Sequence, residues 1–202
     1  MAAPRDDIPL TSDERKLLAW VKRYLGRTGH ERRVAAIASR MFDLTASRHR
    51  LGEDYRTLLR QAAIVHDVGR HWNDADHPQE GAFLLLADGS APLSPTQRRH
   101  LAYLTRYHRG RVPAADARTV LRHDDPVREL RIVLALLRAA DALDKRRSKK
   151  HGRPTLRLRL RGSTLRIDCQ ATKQTTRALD KSSKFALLRQ TTGCDVRLRR
   201  VA

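Results

Sequence analysis

Histidine and aspartate are the side chains in this sequence best suited to gripping a divalent cation, and in one apolar setting they are adjacent: Ala62-Ala63-Ile64-Val65-His66-Asp67-Val68-Gly69-Arg70. Neighbours on a regular helix point about 100° apart, but at a helix terminus the backbone can turn both side chains toward one point. An imidazole and a carboxylate placed so offer mixed nitrogen and oxygen donors, which Mn, Mg, Fe, Co and Zn all accept. Unlike an all-Cys site, such a set leaves positions open for water and phosphate oxygens. The chemistry it suits is attack of activated water on a phosphate ester or anhydride, with positive charge at the phosphoryl oxygens. A His-Asp pair alone is equally a core histidine oriented by a carboxylate, so its meaning depends on partners elsewhere in the chain.

Composition points the same way. The 202 residues carry a formal net charge of +20, which favours phosphate-rich partners such as nucleotides, polyphosphate or RNA. An Arg-rich surface without a ligand is the plain alternative. Aromatic residues make up only 4%, which argues against a base-stacking platform and leaves electrostatics as the main means of holding a polyanion. Cys169 and Cys194 form no close pair of the zinc-ribbon or redox kind. No window approaches the ~18 apolar residues of a membrane span, and residues 1–10 lack an apolar signal core, so the expectation is a cytoplasmic protein without a membrane partner.

The elements that must position the His-Asp pair are helical. Apolar residues recur at three-and-four spacing in Leu17, Leu18, Val21, Tyr24 and Leu25 after a cap expected at Ser12, and in Val34, Ile37, Ala38, Met41 and Phe42 after His30. A third helix over 55–66 ends at the His-Asp pair, and a fourth over 77–86 turns Phe83, Leu84 and Leu85 inward. Ser94-Pro95 caps and opens a fifth that runs to Tyr107-His108, and 126–144 forms the most continuous apolar face. A basic segment, Lys145 to Lys150, leads to Pro154. There the period changes to two: Leu156, Leu158 and Leu160 alternate with Arg157, Arg159 and Arg161, and Gly162-Ser163 turns the chain into Leu165, Arg166 and Ile167. A helix over 173–190 and a strand with Arg197 and Arg199 follow. The fold expected is mainly α, a helical metal-binding domain over 12–150 followed by a β-β-α-β appendix over 154–201. Arg157, Arg159, Arg161, Arg166, Arg197 and Arg199 should share one sheet face, a polyanion site to which Arg146 and Arg147 add charge.

With these segments in order, the sequence resembles the HD-domain phosphohydrolases. The likeness rests on His30 at a helix start, the run around His66-Asp67, His77-Pro78-Gln79-Glu80-Gly81, Tyr107-His108-Arg109, and Asp141 in Ala139-Ala140-Asp141-Ala142-Leu143-Asp144. The resemblance implies one divalent metal on His30, His66, Asp67 and Asp141. A second ion would rest on His77 and His108, with Asp67 bridging; hydrogen bonding of these two histidines to substrate phosphate is the alternative. If Asp67 does not bridge, it is the candidate proton acceptor, and Arg70, Arg109, Lys145 and Arg146, which follow the ligands, would clamp phosphate. Asp144 is expected behind the ligands or in solvent, His49, His71, His100, His123 and His151 at the surface, and Trp72, Phe83 and Tyr103 in the core or a pocket wall.

The order of motifs over residues 12–200 is most similar to the C-terminal half of exopolyphosphatase/guanosine pentaphosphate phosphatase proteins, whose actin-like module has no Gly-rich counterpart here. The Glu-Asp pair that follows His-Asp in guanosine tetraphosphate hydrolases is missing too. The leading expectation is a metal-dependent phosphohydrolase acting on a nucleotide or polyphosphate. Its rivals are a non-catalytic polyphosphate- or RNA-binding module and an accessory partner of a separate exopolyphosphatase-like enzyme. Oligomeric state is open, a homodimer being one option.

Overall fold

The computed structural model describes residues 9–114, 119–144, 155–170 and 183–201. Among these, the chain forms α1 (Ser12–Leu25), α2 (Gly29–His49), α3 (Glu53–Val65), a 3-10 turn (Val68–His71), α4 (His77–Ala87), α5 (Pro95–Tyr107) and α6 (Val127–Leu143). There follow β1 (Thr155–Arg161), β2 (Thr164–Gln170), a short 3-10 turn (Ser183–Phe185), α7 (Ala186–Thr192) and β3 (Asp195–Arg200). The order is the expected mainly helical body with a β-β-α-β appendix. Residues 173–182 of the expected last helix lie outside the described residues, as do Lys145, Arg146, Arg147 and His151.

Local chemistry sets several boundaries. Thr11, not Ser12, caps α1: its hydroxyl accepts from the Glu14 amide at 3.2 Å while the Glu14 carboxylate accepts from the Thr11 amide at 2.9 Å. Ser94 and Gln97 make the same reciprocal cap on α5. Glu14 has a further task, because its buried carboxylate pairs with Arg60 of α3, whose Nη2 donates to it at 2.7 Å and to the Pro9 carbonyl at 2.9 Å. Burial alone would raise the Glu14 carboxyl, and the Arg60 guanidinium reverses that and holds it below its usual range.

One hydrophobic core runs through the molecule. Leu59, Ala62 and Val65 of α3, Val34, Ile37 and Met41 of α2, and Leu130, Val133, Leu134 and Leu137 of α6 join Leu156, Leu158, Leu165 and Ile167 of the sheet and Leu188 of α7. The sheet order is β1-β2-β3, antiparallel between β1 and β2 and parallel between β2 and β3. Its leucines are buried against the helices and its arginines exposed, as a period of two requires.

Four expectations about burial need correction. Phe83 is 69% exposed, because four consecutive apolar residues ring α4 and only the side bearing His77, Gly81 and Leu85 faces the core. Trp72 is 52% exposed, standing just after the 3-10 turn rather than inside a helix. His49, expected at the surface, is buried because α2 persists three residues into the polar stretch; its Nε2–H donates to the Phe42 carbonyl at 3.0 Å and its Nδ1 accepts from the Leu51 amide. His100 is held at 2.8 Å on Asp125. Tyr103 is core, as expected.

Candidate metal centre

The chemistry-bearing residues stand at the ends of six elements. His30 lies in the first turn of α2, His66 caps the C-terminus of α3, Asp67 turns the chain into the 3-10 segment, His77 opens α4, His108 caps α5 and Asp141 lies in the last turn of α6. Asp67 has φ −104° and ψ 5°, the departure from helix that brings His66 and Asp67 to one point. Three helix C-termini and two helix N-termini therefore meet here, so their dipoles largely offset one another and the negative charge of the centre comes from the carboxylates of Asp67 and Asp141.

Two motif glycines explain how the elements come so close. A Cβ on Gly69 would stand 2.2 Å from the His77 carbonyl oxygen and 2.4 Å from the Gly81 nitrogen, both backbone atoms. A Cβ on Gly81 would meet the Thr105 methyl at 2.9 Å. These glycines are what allow the His-Asp turn to lie on the start of α4, so the glycine of the His-Pro-x-x-Gly segment serves close approach.

The six expected ligands converge. His66, Asp67, His77 and His108 are fully buried, and His30 and Asp141 nearly so. One Asp67 oxygen, Oδ1, lies 3.1 Å from His77 Nε2, 3.5 Å from His108 Nε2 and 3.7 Å from His66 Nε2. Its other oxygen lies 3.7 Å from His30 Nε2 and 2.8 Å from Arg70 Nε. Asp141 Oδ1 stands 3.4 Å from His30 Nε2 and 3.7 Å from His66 Nε2. Two overlapping ligand groups result, His30-His66-Asp141 and His66-Asp67-His108.

The imidazoles are also oriented. Nδ1 of His66, His77 and His108 donates to the carbonyls of Ala63, Asp74 and Thr105 at 2.9, 2.8 and 2.7 Å, and Nδ1 of His30 faces Asp144 Oδ2 at 2.9 Å. Each Nε2 is thereby left to point at the centre, the arrangement by which outer hydrogen bonds fix the tautomer of metal-binding histidines. The Nε2 atoms of His30 and His66 are buried without a hydrogen-bond partner. Orphaned nitrogens beside two carboxylates are the donor set that a borderline divalent cation fits.

The charges of the carboxylates and of His108 are consistent with that fit, and that of His30 is not. Burial would raise the carboxyls of Asp67 and Asp141, yet surrounding imidazoles hold both well below the usual range. Burial depresses the His108 imidazole to about 4, against the pull of Asp67, so it is neutral at pH 7. His30 goes the other way: burial would lower it, but Asp141 and Asp144 raise it to about 9.

Above the centre opens a cleft of about 1130 Å³, lined by Tyr24, Leu25, Arg27, Arg70, His71, Asp74, Arg109, Gly110, Arg138, Asp141 and Lys184. The expected Arg70 and Arg109 are there; Arg70 also pairs with Asp67 and Asp74. Lys145 and Arg146 lie outside the described residues. The fold also supplies Arg27, Arg138 and Lys184, which sequence reading missed. Arg138 stands three residues before Asp141 on the same helix face, a spacing that could have marked it. It donates to the carbonyls of Tyr107 at 2.6 Å and Gly110 at 3.1 Å, bracing the turn that carries His108 and Arg109. Lys184 comes from a distant segment and forms an ion pair with Asp141 Oδ2; no local signal marks it. Asp144, buried between His30 and Arg33, lies behind the ligands.

On the opposite side of the appendix the arginines do share a face, but not without acids. Arg159, Arg166 and Arg197 stand directly opposite one another across three strands. In the next row Asp168 lies between Arg157 and Arg199 and accepts from Arg199 Nε at 2.9 Å. Arg161 pairs across to Thr164, so the uncompensated charge concentrates in the Arg159-Arg166-Arg197 row.

No helix among the described residues is long and apolar enough to cross a membrane. A family model described as Ppx/GppA phosphatase, domain III, matches residues 15–184, from the first turn of α1 to the lysine on Asp141. By that match over most of its length, this chain of converging helix ends and arginine-faced strands belongs to the Ppx/GppA phosphatase domain III family.

Proposed function

We infer that this domain is a metal-dependent phosphohydrolase of the HD type, cleaving a phosphate ester or anhydride of a nucleotide or polyphosphate. The supporting observation is the set of four imidazoles whose Nδ1 atoms are tied outward and whose Nε2 atoms converge on Asp67 and Asp141 beneath a cationic cleft. His30, His66, Asp67 and Asp141 would hold one divalent ion, and His77 and His108 with Asp67 a second. When bound, such ions supply a water acidic enough to act as a nucleophile near neutral pH.

The protein's own groups do the rest. Arg109 and Lys184 at the cleft wall hold phosphate oxygens, the guanidinium through paired N–H groups and the ammonium as a point charge. Arg138 keeps Arg109 in place through the carbonyls it binds. In the one-ion arrangement, where Asp67 does not bridge, its carboxylate would accept the proton of the attacking water, with Arg70 paired to its Oδ2.

The test is Asp67→Ala, with elemental analysis before and after and phosphate release from a panel of nucleotides and polyphosphates with Mn or Mg. Loss of both metal and turnover is expected; full turnover in the variant refutes the reading.

A second reading draws on the Arg159-Arg166-Arg197 row: a non-catalytic module binding polyphosphate or RNA, or serving a separate exopolyphosphatase-like enzyme, with any metal purely structural. Binding that survives Asp67→Ala, weakens steeply with salt and accompanies no phosphate release would favour it.

A further inference from the structure

Three aromatic residues of this chain gather beside the cleft. Both tryptophans meet Tyr24: Trp20 edge-on at 5.1 Å between ring centroids and Trp72 tilted at 5.6 Å. His71 packs perpendicular to Trp72 at 4.6 Å and edge-on to Tyr24 at 5.6 Å. Tyr24 and His71 line the cationic cleft above Asp141. Trp72, which they support, is half exposed.

This cluster is rigid from beneath. Asp88 Oδ2 accepts from Trp20 Nε1 at 2.8 Å and from the Tyr24 hydroxyl at 2.7 Å, which fixes both rings. His71 Nδ1 donates to the Tyr24 carbonyl at 3.0 Å, and the Trp72 amide donates to the Gly69 carbonyl at 3.1 Å. A large apolar ring held on a fixed support yet left to water gains by accepting a flat partner. The 3-10 turn also sets its range: five residues at about 2 Å each put Trp72 about 10 Å along the chain from Asp67.

We propose that the aromatic rim of Tyr24, His71 and Trp72 is a base subsite, so that the cleft takes a nucleoside polyphosphate rather than inorganic polyphosphate. The base stacks on Trp72 and the phosphates run to Arg109 and Lys184. This rests on the phosphohydrolase reading of the cleft and narrows its substrate class.

The test titrates the metal-loaded protein with ATP, GTP and inorganic tripolyphosphate, following heat and tryptophan emission; Trp20 is buried, so an emission change reports Trp72. The nucleotides are expected to bind about tenfold more tightly than tripolyphosphate, the scale of one base stacked on an aromatic side chain. Trp72→Ala should erase that preference with tripolyphosphate affinity unchanged, and Trp72→Phe should keep most of it. Because Trp72 is half exposed, neither change threatens the fold. Equal affinity of wild type for nucleotide and tripolyphosphate, or a preference that survives Trp72→Ala, overturns the base subsite alone. Failure of wild type to bind any of the three overturns the phosphate cleft and the subsite with it.

Discussion

Nδ1 of His30 faces Oδ2 of Asp144 at 2.9 Å, joining the first turn of α2 to the residue that ends α6. Both groups are buried, and Asp144 is tied in turn to Arg33 Nε at 2.9 Å. The carboxylate thus decides which nitrogen of His30 is left for the centre. Asp144→Ala frees the ring to rotate and to change tautomer, and divalent-ion affinity should fall about 10- to 100-fold, as when such outer partners are removed elsewhere. Titration of the apo protein with Mn against a chelator measures it; unchanged affinity would show that the contact does not orient a ligand.

Lys184 presses on the same centre from the other side. Its ammonium pairs with Asp141 Oδ2; burial lowers its pKa, and Asp141 opposes that. A divalent ion and this ammonium compete for one carboxylate, while a phosphate would welcome both. Lys184→Met should therefore raise metal affinity a few-fold and weaken tripolyphosphate binding about tenfold, the loss of one charge-assisted contact. If metal affinity falls together with phosphate affinity, Lys184 supports the ligand cage and does not compete with it.

Whereas His30, His77, His108 and Asp141 were legible only through the motifs that resemble the HD-domain phosphohydrolases, His66 and Asp67 were legible as adjacent donors at a helix end, where neighbours can share a target. Asp67 shows this most directly, since its non-helical backbone turns it toward the same point as His66. Lys184 and Arg27 were not legible: only the tertiary fold brings Lys184 to Asp141 and Arg27 to the cleft wall. The Glu14–Arg60 pair escaped for a related reason, since nothing in a helix's own period tells a paired buried carboxylate from an exposed one. His49 and Phe83 show the limits of pattern in opposite directions. The former is buried because α2 continues, the latter exposed because the second half of α4 is apolar all round and can bury only one side. The arginine strands read correctly because a two-residue period fixes the face, but Asp168 lay in that period too and was overlooked.

Asp125 gives the fold an acid limit. Its carboxylate accepts from Arg99 Nε and Nη2 at 2.8 and 2.9 Å, from His100 Nε2 at 2.8 Å and from the Arg122 amide at 2.7 Å. The Arg99 guanidinium, against partial burial, holds the carboxyl well below its usual range. A folded-state pKa below the unfolded value of about 3.9 gives stabilisation that is full above that pH and lost as pH falls toward the folded value. Asp125→Asn should lower the melting temperature at pH 7 by roughly 2–4 °C, equivalent to about 1 kcal/mol in a chain of this length. It should also flatten the decline below pH 4. An equally steep acid limb in the variant would place the acid sensitivity elsewhere.

Arg166 stands between Arg159 and Arg197 in the row across the sheet, and none of the three has a carboxylate partner among the described residues. Like charges directly opposite on neighbouring strands destabilise a sheet, so without a ligand this row is a cost that the leucines beneath must offset. Arg166→Thr keeps a strand-forming residue and removes the central charge. It should stabilise the protein by roughly 0.5 kcal/mol at low ionic strength, a gain that fades as salt screens the row. Added polyphosphate should reverse the ranking, raising the wild-type melting temperature more than the variant's, because an anion turns the repulsion into attraction. A variant that is no more stable at low salt, and that responds to polyphosphate as wild type does, would mean that the arginines spread into water and that the row is ordinary solvated surface.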